Sequence, residues 1–477
     1  MRNIARAAGS GARAASSGRE PMQELSQLSL TELRSRLRGG EVSAGEAVRA
    51  CLERIAAGNA ELRAFIYVDE DGAMRAAHQA DGRRARVAGF GAAALRGIPL
   101  AIKDLIDVQG MPTTAASRVL AASAPAEDDA ECVRRLREAG AILLGKTNLH
   151  EFAFGGSGVV SAFGAVPNPL DRARVSGGSS SGSAVAVATG MCFGALGTDT
   201  AGSVRLPAAC CGVVGFKPTW SQVPIAGVIP LAWSYDHVGT LARTVEDAGE
   251  LYSVLAGEAP GWRPCRILRC GVARKYFCEG LEPEVAAGFE RALQAARALG
   301  WTLREVELEV TEDRCVSNAE TWAFHRSWVD EHEAPYDPRT LARIVNGRTV
   351  GVVEYVEARR GMELLRERWR TGAQGVDVVL TPTSPVLPPT LKEMEGPEAR
   401  AVELKMLRNT RPFNVLGWPS VTVPCAASGV HPGTPTAGAL GTPQAMVGAQ
   451  VSAGWGEDWL ALSAARELER EMGTKSA

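Results

Sequence analysis

The run V-S-G-G-S-S-S-G-S-A-V-A-V-A-T-G, residues 175–190, changes from glycine and serine to small apolar residues and carries no charge anywhere along it. A flexible Gly/Ser linker lies between domain edges and has no particular continuation. This one runs straight into A-V-A-V-A-T-G-M-C-F-G-A-L-G, which reads as a buried helix followed by a short strand. The serines therefore sit at or just before a helix N-terminus inside the core, where open N–H groups and the helix dipole favour an anionic species. Such a turn can cradle a phosphate or form part of a serine-based active site.

The phosphate reading gains apparent support from G-A-I-L-L-G-K-T, residues 140–147, which fits the P-loop pattern letter for letter. Its context is wrong. The four residues between the glycines look like a buried strand rather than a turn with inward N–H groups, and no apolar run ending in Asp follows to hold Mg²⁺.

The active-site reading gains from a second segment, G-A-L-G-T-D-T-A-G-S-V-R-L-P-A-A-C-C-G-V-V-G-F-K-P-T. Within it, Asp199, Thr200, Ala201, Gly202 and Ser203 form a tight turn of small residues able to aim successive N–H groups at one point. Upstream, I-P-L-A-I-K-D-L places a single lysine, Lys103, in an apolar run. Burial strips a lysine of its proton and makes it a base; moving its pKa from about 10.4 to near 7 costs roughly 4–5 kcal/mol. Taken alone, Lys103 reads as a surface lysine paired with Asp104. Taken with the two serine segments, it reads as a base.

These stretches together resemble the amidase signature family: G-G-S-S-S-G, then G-T-D-T-A-G-S-V-R-L-P, then C-G-V-V-G-F-K-P-T, preceded by P-L-A-I-K-D, all in order. The resemblance runs from about Leu28 to about Leu468. It implies an α/β fold with a mixed β-sheet core covered by helices on both sides. It also implies Ser203 as nucleophile, Ser179 as bridging serine, Lys103 as base, a cis peptide between Gly178 and Ser179, and an oxyanion hole from the N–H groups of Thr200, Ala201, Gly202 and Ser203. Ser180, Ser181 and Ser183 are left with turn and helix-cap hydrogen bonds. Cys210 and Cys211 lie among small apolar residues and read as core, Asp199 and Arg205 as scaffold, His150 and His237 as structural, and Lys146 as lying away from the cluster.

The same resemblance leaves two activities. The leading one is a stand-alone amidohydrolase that cleaves a carboxylic amide and releases ammonia or an amine. The alternative is the glutamine-hydrolysing A subunit of a glutamyl-tRNA(Gln) amidotransferase. That subunit carries a polar residue after the arginine of its nucleophile motif and a carboxylate-binding arginine further on. Here Leu206 follows Arg205, and Met362 stands at the second position, with Arg359 and Arg360 out of register.

Composition narrows partners. With 52 basic and 54 acidic residues the chain has a net charge of −2, so nothing draws it directly to nucleic acid or to an anionic membrane. A small-molecule amide is the expected partner, with a homodimer or a small accessory subunit left open. The 10 cysteines are scattered and no histidine sits at metal-binding spacing, so no metal or cofactor is expected and the compartment reads as reducing and cytoplasmic. Residues 1–21, with arginines among Ala, Ser and Gly, read as a disordered or transit-like tail, and residues 22–477 as a single domain with an N-terminal helical layer. Helical spacing from Leu28, strand-like runs at residues 141–144, 376–383 and 419–424, and a Gly/Pro-rich loop at 429–443 complete the outline.

Overall fold

The computed structural model describes residues 25–86, 94–265, 267–332, 334–425 and 446–474. The sequence-read tail at 1–21 and loop at 429–443 lie outside them. The strands are β1 (Phe65–Val68), β2 (Pro99–Lys103), β3 (Ile142–Thr147), β4 (Gly194–Thr198), β5 (Val214–Lys217), β6 (Val238–Ala242), β7 (Arg269–Val272), β8 (Thr302–Glu305), β9 (Val378–Pro382), β10 (Ser420–Pro424) and β11 (Gly448–Ala453). Among the described residues they form one sheet, ordered β1-β3-β2-β4-β6-β5-β10-β11-β9-β7-β8. β2 is parallel to β3 and β4, and β7 to β8 and β9. The remaining pairs are antiparallel, so the sheet is mixed as expected.

Every residue of β2, β3, β4, β6, β9, β10 and β11 is buried. Successive side chains of a strand point to opposite faces, so burial of all of them requires cover on both. The helix Ser181–Ala188 packs on β2, β3, β4 and β6, Arg205–Cys211 on β5, β10 and β11, and Asp458–Thr474 on β9, β10 and β11. The N-terminal layer begins with the helices Leu30–Gly39 and Ala44–Leu62, each opened by a capping box, Ser29 with Glu32 and Ser43 with Glu46. Each such cap contributes about 1 kcal/mol. Leu30, Leu33 and Leu37 form the buried stripe of the first helix. No helix among the described residues is long and apolar enough to cross a membrane.

The parallel pairing of β2 with β4 prepares the site. Lys103 is the last residue of β2 and Thr198 the last of β4, so both emerge at the same sheet edge. In open α/β sheets that carboxyl edge is where ligands gather.

Candidate active site

Lys103 is wholly buried. Its Nζ donates to Ser179 Oγ at 2.7 Å, Thr198 Oγ1 at 2.7 Å and Ser180 Oγ at 3.0 Å, so three hydroxyls meet the three N–H directions of an ammonium. Burial pushes its pKa down from 10.5 to about 7, against the opposing pull of Asp199 and Asp236. Half of such amines are neutral near pH 7, and a neutral amine accepts a proton.

The segment carrying Ser179 is fixed by its backbone. The Gly178–Ser179 peptide is cis. The Ser179 carbonyl accepts from His150 N–H at 3.1 Å, Ser180 N–H donates to the Ser203 carbonyl at 3.1 Å, and Gly182 N–H donates to the Asn148 carbonyl at 2.9 Å. A side chain at Gly182 would bring its Cβ within 2.3 Å of the Ala64 carbonyl oxygen, so this close approach admits only glycine. Because carbonyls of other segments take these N–H groups, the serine hydroxyls are not needed as caps. The expectation of cap roles is corrected accordingly: Ser180 turns its Oγ to Lys103 and to the Thr198 carbonyl at 3.2 Å, and Ser183 bonds Thr147 and the Leu196 carbonyl, while Ser181 keeps a turn bond, its Oγ donating to the Ser179 carbonyl at 3.4 Å.

Residues 199–205 wrap around one buried carboxylate. Asp199 accepts from Gly202 N–H at 2.8 Å, Val204 N–H at 3.1 Å, Arg205 Nη2 at 2.9 Å and Asn414 Nδ2 at 2.8 Å. Burial opposes its ionisation, yet Arg205 and the other donors hold the carboxyl well below the usual carboxylate range. Arg205 reaches on to Gln450 Oε1 at 2.7 Å and to the Thr410 carbonyl at 2.9 Å, so the pair is scaffold, as read from the sequence. One expectation narrows here. The Gly202 N–H is already given to Asp199, and the N–H groups of Thr200, Ala201 and Ser203 are the ones that donate to no acceptor among the described residues. Gly202 has φ +130°, and a Cβ there would lie 2.0 Å from Thr410 Oγ1. Thr410 in turn donates to the Ala201 carbonyl at 2.6 Å and holds the turn from outside.

Ser203, Thr200 and Ala201 line a cavity of about 140 Å³. Ser203 Oγ makes no hydrogen bond with any described residue; it joins the Lys103 cluster through the backbone bond from Ser180. Thr200 Oγ1 donates to Asp236 Oδ1 at 2.5 Å, and burial raises the pKa of Asp236 to about 6. Arg314, Arg343, Arg400 and Arg411 line the same cavity. None of these four was singled out in the sequence, and neither were Thr198 and Asp236. The arginines come from four separate places along the chain with no common motif, and Thr198 is one threonine at a strand end.

None of the remaining candidates brings its side chain to the Lys103 amine, whose partners are Ser179, Ser180 and Thr198. Ile102 pairs with Lys146 across β2 and β3, which sets Lys146 on the opposite face of the sheet from Lys103. There it forms a 3.0 Å ion pair with Asp104. Residues 142–147 are strand β3, so the P-loop-like string is not a phosphate loop. Cys210 and Cys211 are buried in a helix with thiol pKa values raised by burial, Cys210 to about 12. His237 Nδ1 faces the Tyr235 and Asp199 carbonyls at 2.6 and 3.0 Å, and His150 packs between Ser157 and Arg343. Met362 is buried in an apolar cluster with Phe413 and Trp418, and neither Arg359 nor Arg360 lines the cavity.

The family model described as Amidase matches residues 46–460. A Myxococcus xanthus protein, named as the A subunit of glutamyl-tRNA(Gln) amidotransferase, is 38% identical over 84% of this chain and 91% of its own. A Pseudomonas putida protein named amidase is 36% identical over 85% and 91%. A solved structure described as an amidase superposes with a TM-score of 0.82 at 34% identity, covering 94% of this chain and 100% of that one.

Proposed function

This chain belongs to the amidase family, an enzyme family that acts on carbon–nitrogen bonds, and from that membership we propose that it hydrolyses a carboxylic amide through an acyl-enzyme on Ser203. The observation that carries the proposal is the buried Lys103 amine, near neutrality at pH 7, bonded at 2.7 Å to Ser179 beside the Ser203 turn. Neutral Lys103 accepts a proton from Ser179, which takes the proton of Ser203 as that hydroxyl attacks the carbonyl carbon. The Ser179–Ser203 hydrogen bond closes when substrate binds, as is common for sites that are long or misaligned when empty. The N–H groups of Thr200, Ala201 and Ser203 receive the oxyanion, each worth about 3–4 kcal/mol in related sites. The proton returns through Ser179 to the leaving nitrogen, the C–N bond breaks, and ammonia or an amine departs. Water then attacks the ester, loses its proton to the same relay, and releases the carboxylate and Ser203.

The test is ammonia release from simple amides by the purified chain, with Ser203→Ala, Ser179→Ala and Lys103→Ala alongside. Loss of turnover in all three, with folding retained, supports the relay. Near-normal activity in Lys103→Ala refutes it.

The name of the Myxococcus relative favours the second reading over the leading one: a glutamine-hydrolysing subunit that works within a larger, tRNA-directed complex. That reading predicts ammonia release from glutamine only when partner subunits are added, and to the expectation of no direct nucleic-acid contact it would add an indirect one through the complex. We further take residues 22–477 as one catalytic domain, and the ten free cysteines as fitting a reducing, cytoplasmic compartment.

A further inference from the structure

The cavity that Ser203 lines is also lined by four arginines and, among its described lining residues, by no aspartate or glutamate. Two of the four share one carboxylate. Arg343 Nη2 lies 2.7 Å and Arg400 Nη1 3.3 Å from Glu403 Oε2, behind the wall at 1% exposure. Arg411 spends its donors on neutral groups, the Thr311 carbonyl at 2.7 Å and the Asp313 carbonyl. Arg314 is half-buried, and its guanidinium makes no hydrogen bond or ion pair with any described residue. The acidic side chain that acts on it is the exposed Glu312, while Arg411 acts against it. A partly desolvated guanidinium with no acid bonded to it, and only the exposed Glu312 acting from a distance, is costly to keep, and a planar carboxylate is the ligand its donor fork fits.

We propose that the amide cleaved at Ser203 carries a second, anionic carboxylate, held by Arg314 with Arg411 beside it, and no ammonium near that carboxylate. The substrate class is the monoamide of a dicarboxylic acid. This rests on the reading of Ser203 as nucleophile given above. Glutamine has the carboxylate, but its α-ammonium would enter among guanidinium groups with no lining acid to receive it. The pocket thus selects by repulsion as well as attraction. Asn318, Asn346 and Ser317 supply the neutral polar groups that a chain between amide and carboxylate can touch. Arg314 was not legible as a site residue because it stands alone in T-E-D-R-C-V, where its two acidic neighbours suggest an exposed charge cluster.

The experiment measures kcat and KM of the full chain, and of Arg314→Gln and Arg314→Lys, on butanedioic acid monoamide, pentanedioic acid monoamide, butanamide, pentanamide and glutamine. In parallel, butanedioic acid monoamide is titrated calorimetrically into Ser203→Ala with and without Arg314→Gln. A hydrogen bond to a charged group sets the expected discrimination at about tenfold to a hundredfold. The monoamides should exceed both the neutral amides and glutamine in kcat/KM by at least about tenfold. Arg314→Gln should close most of that gap through KM, Arg314→Lys should restore part of it, and binding to Ser203→Ala should weaken about tenfold when Arg314 is also replaced. Equal or better turnover of neutral amides or glutamine overturns the proposal, as does a gap that survives in Arg314→Gln. The two readings fail separately. Absence of all turnover with Arg314-dependent binding refutes Ser203 as a nucleophile that works in the chain alone and keeps the carboxylate pocket. Ser203-dependent turnover without anion preference does the reverse.

Discussion

Replacing Thr198 by valine removes one hydroxyl from Lys103 while keeping a β-branched residue of similar shape at the end of β4. In the structure Thr198 Oγ1 is 2.7 Å from Nζ and makes that bond alone. A hydrogen bond to a charged group is worth about 1.5–3 kcal/mol and a neutral one about 0.5–1.5, so the loss falls more on the ammonium than on the amine by about 1–1.5 kcal/mol. At 1.36 kcal/mol per unit this is about one pKa unit. The Lys103 pKa, about 7 in the parent, should therefore fall to near 6. Because kcat/KM reports free-enzyme ionisations, its acidic limb should move with it. At pH 6 the parent would work at about a tenth of its plateau and Thr198→Val at about half of its own, lower plateau. The assay is kcat/KM against pH from 5 to 9 on an aryl amide whose own ionisation lies outside that range. An acidic limb that stays in place, or moves to higher pH, would refute the assignment of the limb to Lys103 and of Thr198 as its partner.

Two further outcomes follow from the same geometry. Between about pH 7 and 10.5 the unfolded chain holds a proton on Lys103 that the native state lacks, so native stability rises with pH across that window. The stability difference between the parent and Lys103→Met should climb by up to about 1.4 kcal/mol per pH unit in denaturant melts, and a flat difference would contradict burial of the amine. Gly202→Ala forces a Cβ to 2.0 Å from Thr410 Oγ1 at φ +130°, so it should cost about 1–3 kcal/mol in thermal or urea unfolding and lower kcat more than KM; an unchanged midpoint would show that the turn is looser than described.

The fold and the site were legible to different depths. Lys103, Ser179 and Ser203 could be named through the family resemblance carried by P-L-A-I-K-D, G-G-S-S-S-G and G-T-D-T-A-G-S-V-R-L-P, whereas Lys103 by itself reads as a surface lysine. The strands at residues 378–382 and 420–424 showed as apolar β-branched runs. Helical spacing from Leu28 showed the helices that the structure finds capped at Ser29 and Ser43. Strand β8, T-L-R-E, has no such signal because it lies largely exposed at a sheet edge and is held by its pairing with β7. Thr198, Asp236 and Thr410 act through tertiary contacts, and one hydroxyl or carboxyl in a short polar stretch carries no mark of its partner. Ser180 misleads for a related reason: a serine at a helix start reads as a cap, and only the fold shows that other carbonyls already take the N–H groups.

Direct capture of the acyl-enzyme tests the central claim. The parent is mixed with an excess of an activated aryl ester or amide, quenched in acid within milliseconds to seconds, digested and mapped by mass spectrometry. Acylation is predicted on the peptide holding Ser203, absent in Ser203→Ala and slowed by at least about a thousandfold at pH 7 in Lys103→Met. An adduct on Cys210 or Cys211, or on Ser179 with Ser203 unmodified, would contradict the account.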